Sequence, residues 1–168
     1  RQRMPAPRIE RLIARLEKGR AALQRAFADL PPEQWQRTVY AEPAVWTVRD
    51  VLAHLLSAEE GLRMLAQEAA SGGEGAPEGM DYHAFNAAEQ ERLRALSPEE
   101  LLAAWGEARN ATLAMVRGLE ERQLDREGRH PALGLVPVET ILNAIYGHQL
   151  MHLRDLPGED SPRHRSAC

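Results

Sequence analysis

Apolar residues return along this chain at helical spacing. Ile9, Leu12, Ile13, Leu16, Leu23 and Phe27 stand three, four and seven residues apart between arginines and glutamates, the pattern of one buried helix face. This predicts an amphipathic helix over the first 30 residues. Leu30-Pro31-Pro32-Glu33 ends it, because proline cannot continue a helix interior. A loop carrying Trp35, Tyr40 and Trp46 follows. Thr47 then provides a cap and Asp50 an acid three residues on, so a second helix starts there. Its inward stripe reads Val51, Leu55, Ala58, Leu62 and Leu65 and runs to about Ala70.

The segment Ser71 to Gly79 holds four glycines and a proline and reads as a flexible connection, too short to separate two domains. A shorter helix is expected over Asp81 to Ala95. Ser97-Pro98-Glu99-Glu100 combines a cap, a proline at the first helical position and first-turn acids. It opens a helix to about Leu119 with Leu101, Leu102, Trp105, Ala108, Thr112, Met115 and Leu119 on one face. Asp125 to Pro137 reads as a loop. A last helix runs from Val138 to about Leu156, where Pro157-Gly158 stops it. No alternating run suggests a strand. The fold expected is all-α, a four-helix bundle with one extra short helix, forming a single domain over residues 1–158 with a disordered tail at 159–168.

Composition narrows the function more than the fold. The 168 residues are 43% hydrophobic and 27% charged, with a net charge of −4, which excludes wholesale disorder and offers no basic footprint for nucleic acid. No apolar run approaches the roughly 18–20 residues that span a membrane, and no apolar stretch follows the basic N-terminus as in a secretory signal. A cytoplasmic protein without nucleic-acid or membrane partners is the expectation. The one cysteine, Cys168, cannot form a disulfide or a cysteine metal cage within the chain.

The chemistry concentrates in the last helix, at Gly147-His148-Gln149-Leu150-Met151-His152. Two histidines at i and i+4 stand one turn apart on one face. Counting back from His152 through His148 reaches Ile145, Ile141 and Val138, the apolar stripe, so both imidazoles face the bundle interior. The spacing alone is weak, since chance produces it often; a buried imidazole, however, must find a hydrogen bond or a ligand. His54 borders the inward stripe of the second helix and is the third member. Three imidazoles suit zinc, nickel, copper or iron(II) and leave a coordination position open. The alternative is three core histidines bonded to backbone or to one another.

Trp46-Thr47-Val48-Arg49-Asp50-Val51-Leu52-Ala53-His54-Leu55 resembles the second-helix signature of the DinB/YfiT-like superfamily. His148 and His152 sit where that superfamily has its His-x-x-x-His, and Asp81-Tyr82-His83-Ala84-Phe85-Asn86 is similar to the segment after its linker, where an asparagine precedes the next helix. The similarity runs from about Ile9 to Leu156. It implies a four-helix bundle, often dimeric, holding a divalent metal ion through His54, His148 and His152. It further implies relatives that are transferases or isomerases dependent on mycothiol or bacillithiol, beside many of no known activity.

Other polar residues are secondary candidates. Asp50 and Asp155 could orient an imidazole, although a helix-start acid and a solvated acid describe them better. Asn143, Tyr146 and Asn86 could face a pocket, with Tyr146 reading equally as packing and Asn86 equally as a helix-start residue. His83, His130 and His164 read as loop or surface histidines, Trp35, Trp46 and Trp105 as core anchors, and Glu99, Glu100, Glu120 and Glu121 as helix-end or solvated acids. The leading expectation is a metal-dependent enzyme for a small-molecule substrate, with zinc or nickel ahead of iron. Transfer of a low-molecular-weight thiol comes first and hydrolysis second. The rivals are a non-catalytic small-molecule-binding bundle and a structural, dimerising one. Exposed apolar residues on a bundle this small make a homodimer an expectation.

Overall fold

The helices begin where side chains satisfy their open N–H groups. Thr47 Oγ1 accepts from the Asp50 N–H at 3.2 Å while Asp50 Oδ2 accepts from the Thr47 N–H at 2.9 Å, a capping box. Ser97 Oγ accepts from the Glu100 N–H at 3.1 Å, with Pro98 next in the chain. Asp81 accepts from the N–H groups of His83 and Ala84.

The computed structural model describes residues 6–156. In chain order it contains α1 (Pro7–Phe27), α2 (Pro32–Trp35), β1 (Thr38–Tyr40), β2 (Trp46–Thr47), α3 (Val48–Ala70), α4 (Tyr82–Arg92), α5 (Pro98–Arg117), a 3-10 turn (Glu121–Asp125), β3 (Glu127–His130), β4 (Gly134–Pro137) and α6 (Val138–Asp155). The four long helices form the expected bundle: α3 packs on α5 and α6, and α1 packs on the same two, with α4 against the remaining side of α3. The expected stop at Pro157-Gly158, the tail and His164 lie outside the described residues.

Two hairpins correct the expectation that the chain has no strands. β1 pairs antiparallel with β2, and β3 with β4 across the segment expected to be a loop. Strands this short contain no alternating run to read, and the polar Glu127–His130 gives no sequence signal. The first helix also ends earlier than expected, at Phe27. Pro31 and Pro32 do not merely stop it; Pro31 is the cap of α2. The glycine-rich connection is tied down: Arg129 N–H donates to Glu74 O and Ala76 N–H to Arg129 O, both at 2.8 Å. Gly75, at φ 83°, lies so close to this strand that a Cβ would stand 2.5 Å from the Arg129 nitrogen.

The core has two apolar ends and a polar waist. One end gathers Leu23, Phe27, Trp35, Tyr40, Trp46, Leu52, Leu56, Leu101 and Trp105; the other gathers Ile9, Leu12, Leu16, Ala66, Ala69, Leu113, Val116, Ile141 and Leu142. Between them Arg109, fully buried, bonds Glu59 at 2.5 and 3.1 Å, Gln149 at 2.6 Å and the carbonyl of Leu16 at 2.7 Å. Gln149 in turn donates to the carbonyl of Gly19 at 2.6 Å. Gly19 gives the space this requires, since a Cβ there would stand 3.1 Å from both Arg109 and Gln149. The waist thus joins all four long helices, and the guanidinium carbon lies 4.6 Å over the Trp105 ring. Helical periodicity carries no sign of it, because it reads apolar positions and Glu59, Arg109 and Gln149 are polar.

The stripe expected on α3 is also partly redirected. Val51 and Leu55 are buried, but Ala58, Leu62 and Leu65 are only half-buried and line a cavity. Neighbours on three sides bury Leu52, Ala53, Leu56 and Ser57 instead.

Candidate metal centre

His54 lies in the second turn of α3, and His148 and His152 in the second half of α6. Because α3 and α6 pack side by side, the three rings meet. His54 Nε2 stands 3.0 Å from His148 Nε2, and His152 Nε2 stands 3.1 Å from it. One ligand nitrogen from each of the three fits within a span of 4.8 Å. His152 is fully buried and His54 nearly so, while His148 is half-buried. The inward direction read from the α6 stripe is therefore what the structure has.

The far side of His152 explains the orientation of its ring. Tyr40 Oη is 2.9 Å from His152 Nδ1 and donates to Asp155 Oδ2 at 2.7 Å. A hydroxyl has one proton, and a carboxylate only accepts. With that proton directed to Asp155, the Tyr40 oxygen accepts from His152 Nδ1–H. This sets the tautomer, and the lone pair of His152 lies on Nε2, pointing into the cluster. His54 is steadied by Trp46, whose ring centroid is 4.7 Å from its own.

Three converging nitrogens are a poor arrangement without a cation, because one proton cannot bridge all of them. The residues fit a metal ion. Ligands at about 2.1 Å separated by a right angle stand about 3.0 Å apart, and at the tetrahedral angle about 3.4 Å. The spacings at His148 fall in that range or at its edge. Neutral imidazole is a ligand for zinc, nickel or iron(II), and a partner on the distal ring nitrogen is the usual support.

Opposite the buried His152, the rings of His54 and His148 border a cavity of about 360 Å3 between α3, α4 and the β3–β4 turn. Its wall is mostly Leu62, Leu65, Met64, Met80, Phe85 and Pro131, with Asn86 and His130 among the polar members. His130 Nδ1 accepts from the N–H groups of Ala132 and Leu133 at 3.0 and 3.1 Å, so the ring carries its proton on Nε2. Burial, and then the charge of His148, hold its pKa below the ordinary histidine value.

Several expectations are corrected here. Asp155 is not a solvated surface acid; it is buried and holds Tyr40. His130 belongs to the cavity wall, not the open surface. Asn86 lies inside α4, within the helix expected over Asp81 to Ala95, and is buried at the cavity edge, so of its two readings the pocket group and not the helix-start residue is what the structure has. Asp50 is the helix-start acid it reads as. Asn143 accepts from Arg15 at 2.6 Å, and Tyr146 packs beside Gly19; neither borders the cavity. His83 is exposed beside the Tyr82 ring. Of Tyr40, the sequence offered only an aromatic in a loop; its role depends on a hydrogen bond across 112 residues.

The comparison with family models decides the relationship. Residues 5–156 match the model of the DinB superfamily. The chain belongs to that superfamily. Its fold is similar to that of YfiT from Bacillus subtilis, a probable metal-dependent hydrolase with an unusual four-helix bundle topology. That match has a TM-score of 0.71 and 21% identity and covers 93% of this chain and 87% of YfiT. It is also similar to the mycothiol-dependent maleylpyruvate isomerase, with a TM-score of 0.74 and 19% identity, over 94% of this chain but 63% of the isomerase. This DinB-superfamily chain thus spans under two thirds of that enzyme. A Streptococcus pneumoniae protein matches with a TM-score of 0.61 and 20% identity, over 90% and 91% of the two chains. No curated protein matches the sequence. Among the described residues, no helix is long and apolar enough to cross a membrane.

Proposed function

We propose that this chain is a divalent-metal-dependent enzyme for a small molecule, with Nε2 of His54, His148 and His152 as the protein ligands. The observation that carries this reading is the convergence of three ring nitrogens, one of them set as a lone-pair donor by Tyr40 and Asp155. A divalent ion held by these three nitrogens would supply positive charge that acidifies a thiol or a water molecule beside it. The chain's residues do the rest. His152 is held from behind by Tyr40, Trp46 limits the swing of His54, and His54 with His148 presents the open side to the cavity. The apolar wall displaces water from a substrate seated there. A donor set of three neutral imidazoles favours zinc or nickel, with iron(II) next.

Transfer of a low-molecular-weight thiol to an electrophile is the first reaction in this reading, supported by the mycothiol dependence of the isomerase with the similar fold. Hydrolysis is second, supported by the likeness to YfiT. A thiol co-substrate places the reaction in the reducing cytoplasm. A homodimer belongs to the same reading, and exposed Val45, Leu135 and Leu150 supply apolar surface for it.

The test is elemental analysis of protein purified without chelator or histidine tag, beside a His148→Ala/His152→Ala variant. Near-stoichiometric metal in the parent, absent from the variant, is expected. A parent that retains no metal and takes none up on titration overturns the reading and leaves a non-catalytic binding bundle.

A further inference from the structure

The cavity is more selective than its position beside the histidines requires. Among the described residues, no arginine, lysine, aspartate or glutamate lines it. A carboxylate, phosphate or sugar-bearing thiol buried against this wall, away from His54 and His148, would lose its water without a charged partner in return. Away from His54 and His148, the hydrogen-bonding groups in the wall include Asn86, His130 and Ser57. Asn86 is about nine-tenths buried, and its carboxamide makes no hydrogen bond to another described residue. His130 keeps its proton on Nε2, and Ser57 has its hydroxyl committed to the carbonyl of His54 at 3.1 Å. At about 360 Å3 the space lies at the lower end of the range for small-molecule sites, about 300–1,000 Å3.

Gly61 makes part of that space. It lies in the interior of α3, where glycine weakens a helix relative to alanine, and no close backbone approach demands it there. A Cβ on Gly61 would meet only Phe85 Cζ, at 3.9 Å. What the missing side chain provides is volume in the cavity.

We infer that this cavity takes an uncharged, largely apolar small molecule, about the size of two or three aromatic rings, and that Gly61 sets its size limit. The inference rests on the metal reading only for which end of the molecule reacts. A charged co-substrate then approaches from the solvent side and not along the apolar wall.

Two dyes with one scaffold test this: N-phenyl-1-naphthylamine, which is neutral, and its sulfonated analogue 8-anilinonaphthalene-1-sulfonate. Both are titrated by fluorescence against the full chain, metal-free and zinc-loaded, and against Gly61→Leu, whose thermal midpoint and zinc uptake are measured alongside. The neutral dye should saturate at one per chain with and without zinc, and the sulfonate should bind at least tenfold more weakly to the metal-free protein. Gly61→Leu should weaken the neutral dye at least tenfold while melting no lower and taking up zinc as the parent does. Zinc uptake without dye binding overturns this inference and leaves the metal reading in place. Dye binding blocked by Gly61→Leu in a protein that takes up no zinc supports this inference while the metal reading falls. Equal binding of the two dyes, or a neutral dye indifferent to Gly61→Leu, overturns it.

Discussion

The Tyr40 hydroxyl is the link between His152 and Asp155: it stands 2.9 Å from the imidazole Nδ1 and donates its proton to the carboxylate at 2.7 Å. A phenol in this place does what a carboxylate or backbone carbonyl does behind many metal-bound histidines, fixing both the tautomer and the ring plane. Removing the hydroxyl alone separates that role from packing. Tyr40→Phe is expected to weaken zinc binding by about 10–100-fold with the helical circular dichroism unchanged. Titration against a competing chelator measures it, and an affinity equal to the parent's would show that the relay does not act on the site.

The three histidines should differ in what their loss costs. His148 is half-buried and meets the cavity, so His148→Ala should remove metal uptake while shifting the metal-free melting midpoint only slightly. In the parent, zinc at about 100 times its dissociation constant should add about 2.7 kcal/mol of stability. Differential scanning fluorimetry with and without zinc checks both. A variant still raised by zinc as the parent is would remove His148 from the ligand set.

The polar waist predicts a large penalty far from the metal. Arg109→Met would leave Glu59 buried without its guanidinium and strip Gln149 and the Leu16 carbonyl of a donor. Breaking one side of a buried ion pair costs about 3–5 kcal/mol, which for a domain of this size lowers the midpoint by roughly 6–20 °C. Urea unfolding of the variant measures it. A loss under about 1 kcal/mol would mean that the carboxylate finds another partner.

His130 predicts a pH dependence. Burial first and the charge of His148 second lower its pKa in the folded protein below the ordinary value of 6.5. The unfolded chain then binds the proton more readily than the folded one below that value. This contribution is accordingly present above about pH 6.5 and is lost as the pH falls toward the lower folded-state value. In metal-free protein, His130→Gln should lose less stability than the parent between pH 6.5 and 5. Parallel denaturation curves over that interval decide it, and identical slopes would contradict the assignment.

The capping box carries the start of α3, and with it the position of His54 two turns on. Thr47→Ala should cost about 1 kcal/mol, within a span of about 0.5–2. Chemical denaturation reads that loss directly.

Local rules determined much of this molecule. Helix spacing and caps marked α1, α3, α5 and α6 to within a few residues, because amphipathic stripes and Ser/Thr/Asp caps act within one or two turns. The same stripe on α6 turned His148 and His152 inward, and the motifs around His54 pointed to the family. Tertiary structure decided what depends on partners distant in the chain. Arg109 is buried because Glu59, Gln149 and the Leu16 carbonyl meet it from three other helices. Asp155 is a supporting group because Tyr40 reaches it from a hairpin too short to leave a pattern. Ala58 and Leu62 line a cavity because α4 and the β3–β4 turn stop short of covering them. Periodicity reports which face of an element is apolar; only packing decides whether a neighbour fills that face or leaves room for a ligand.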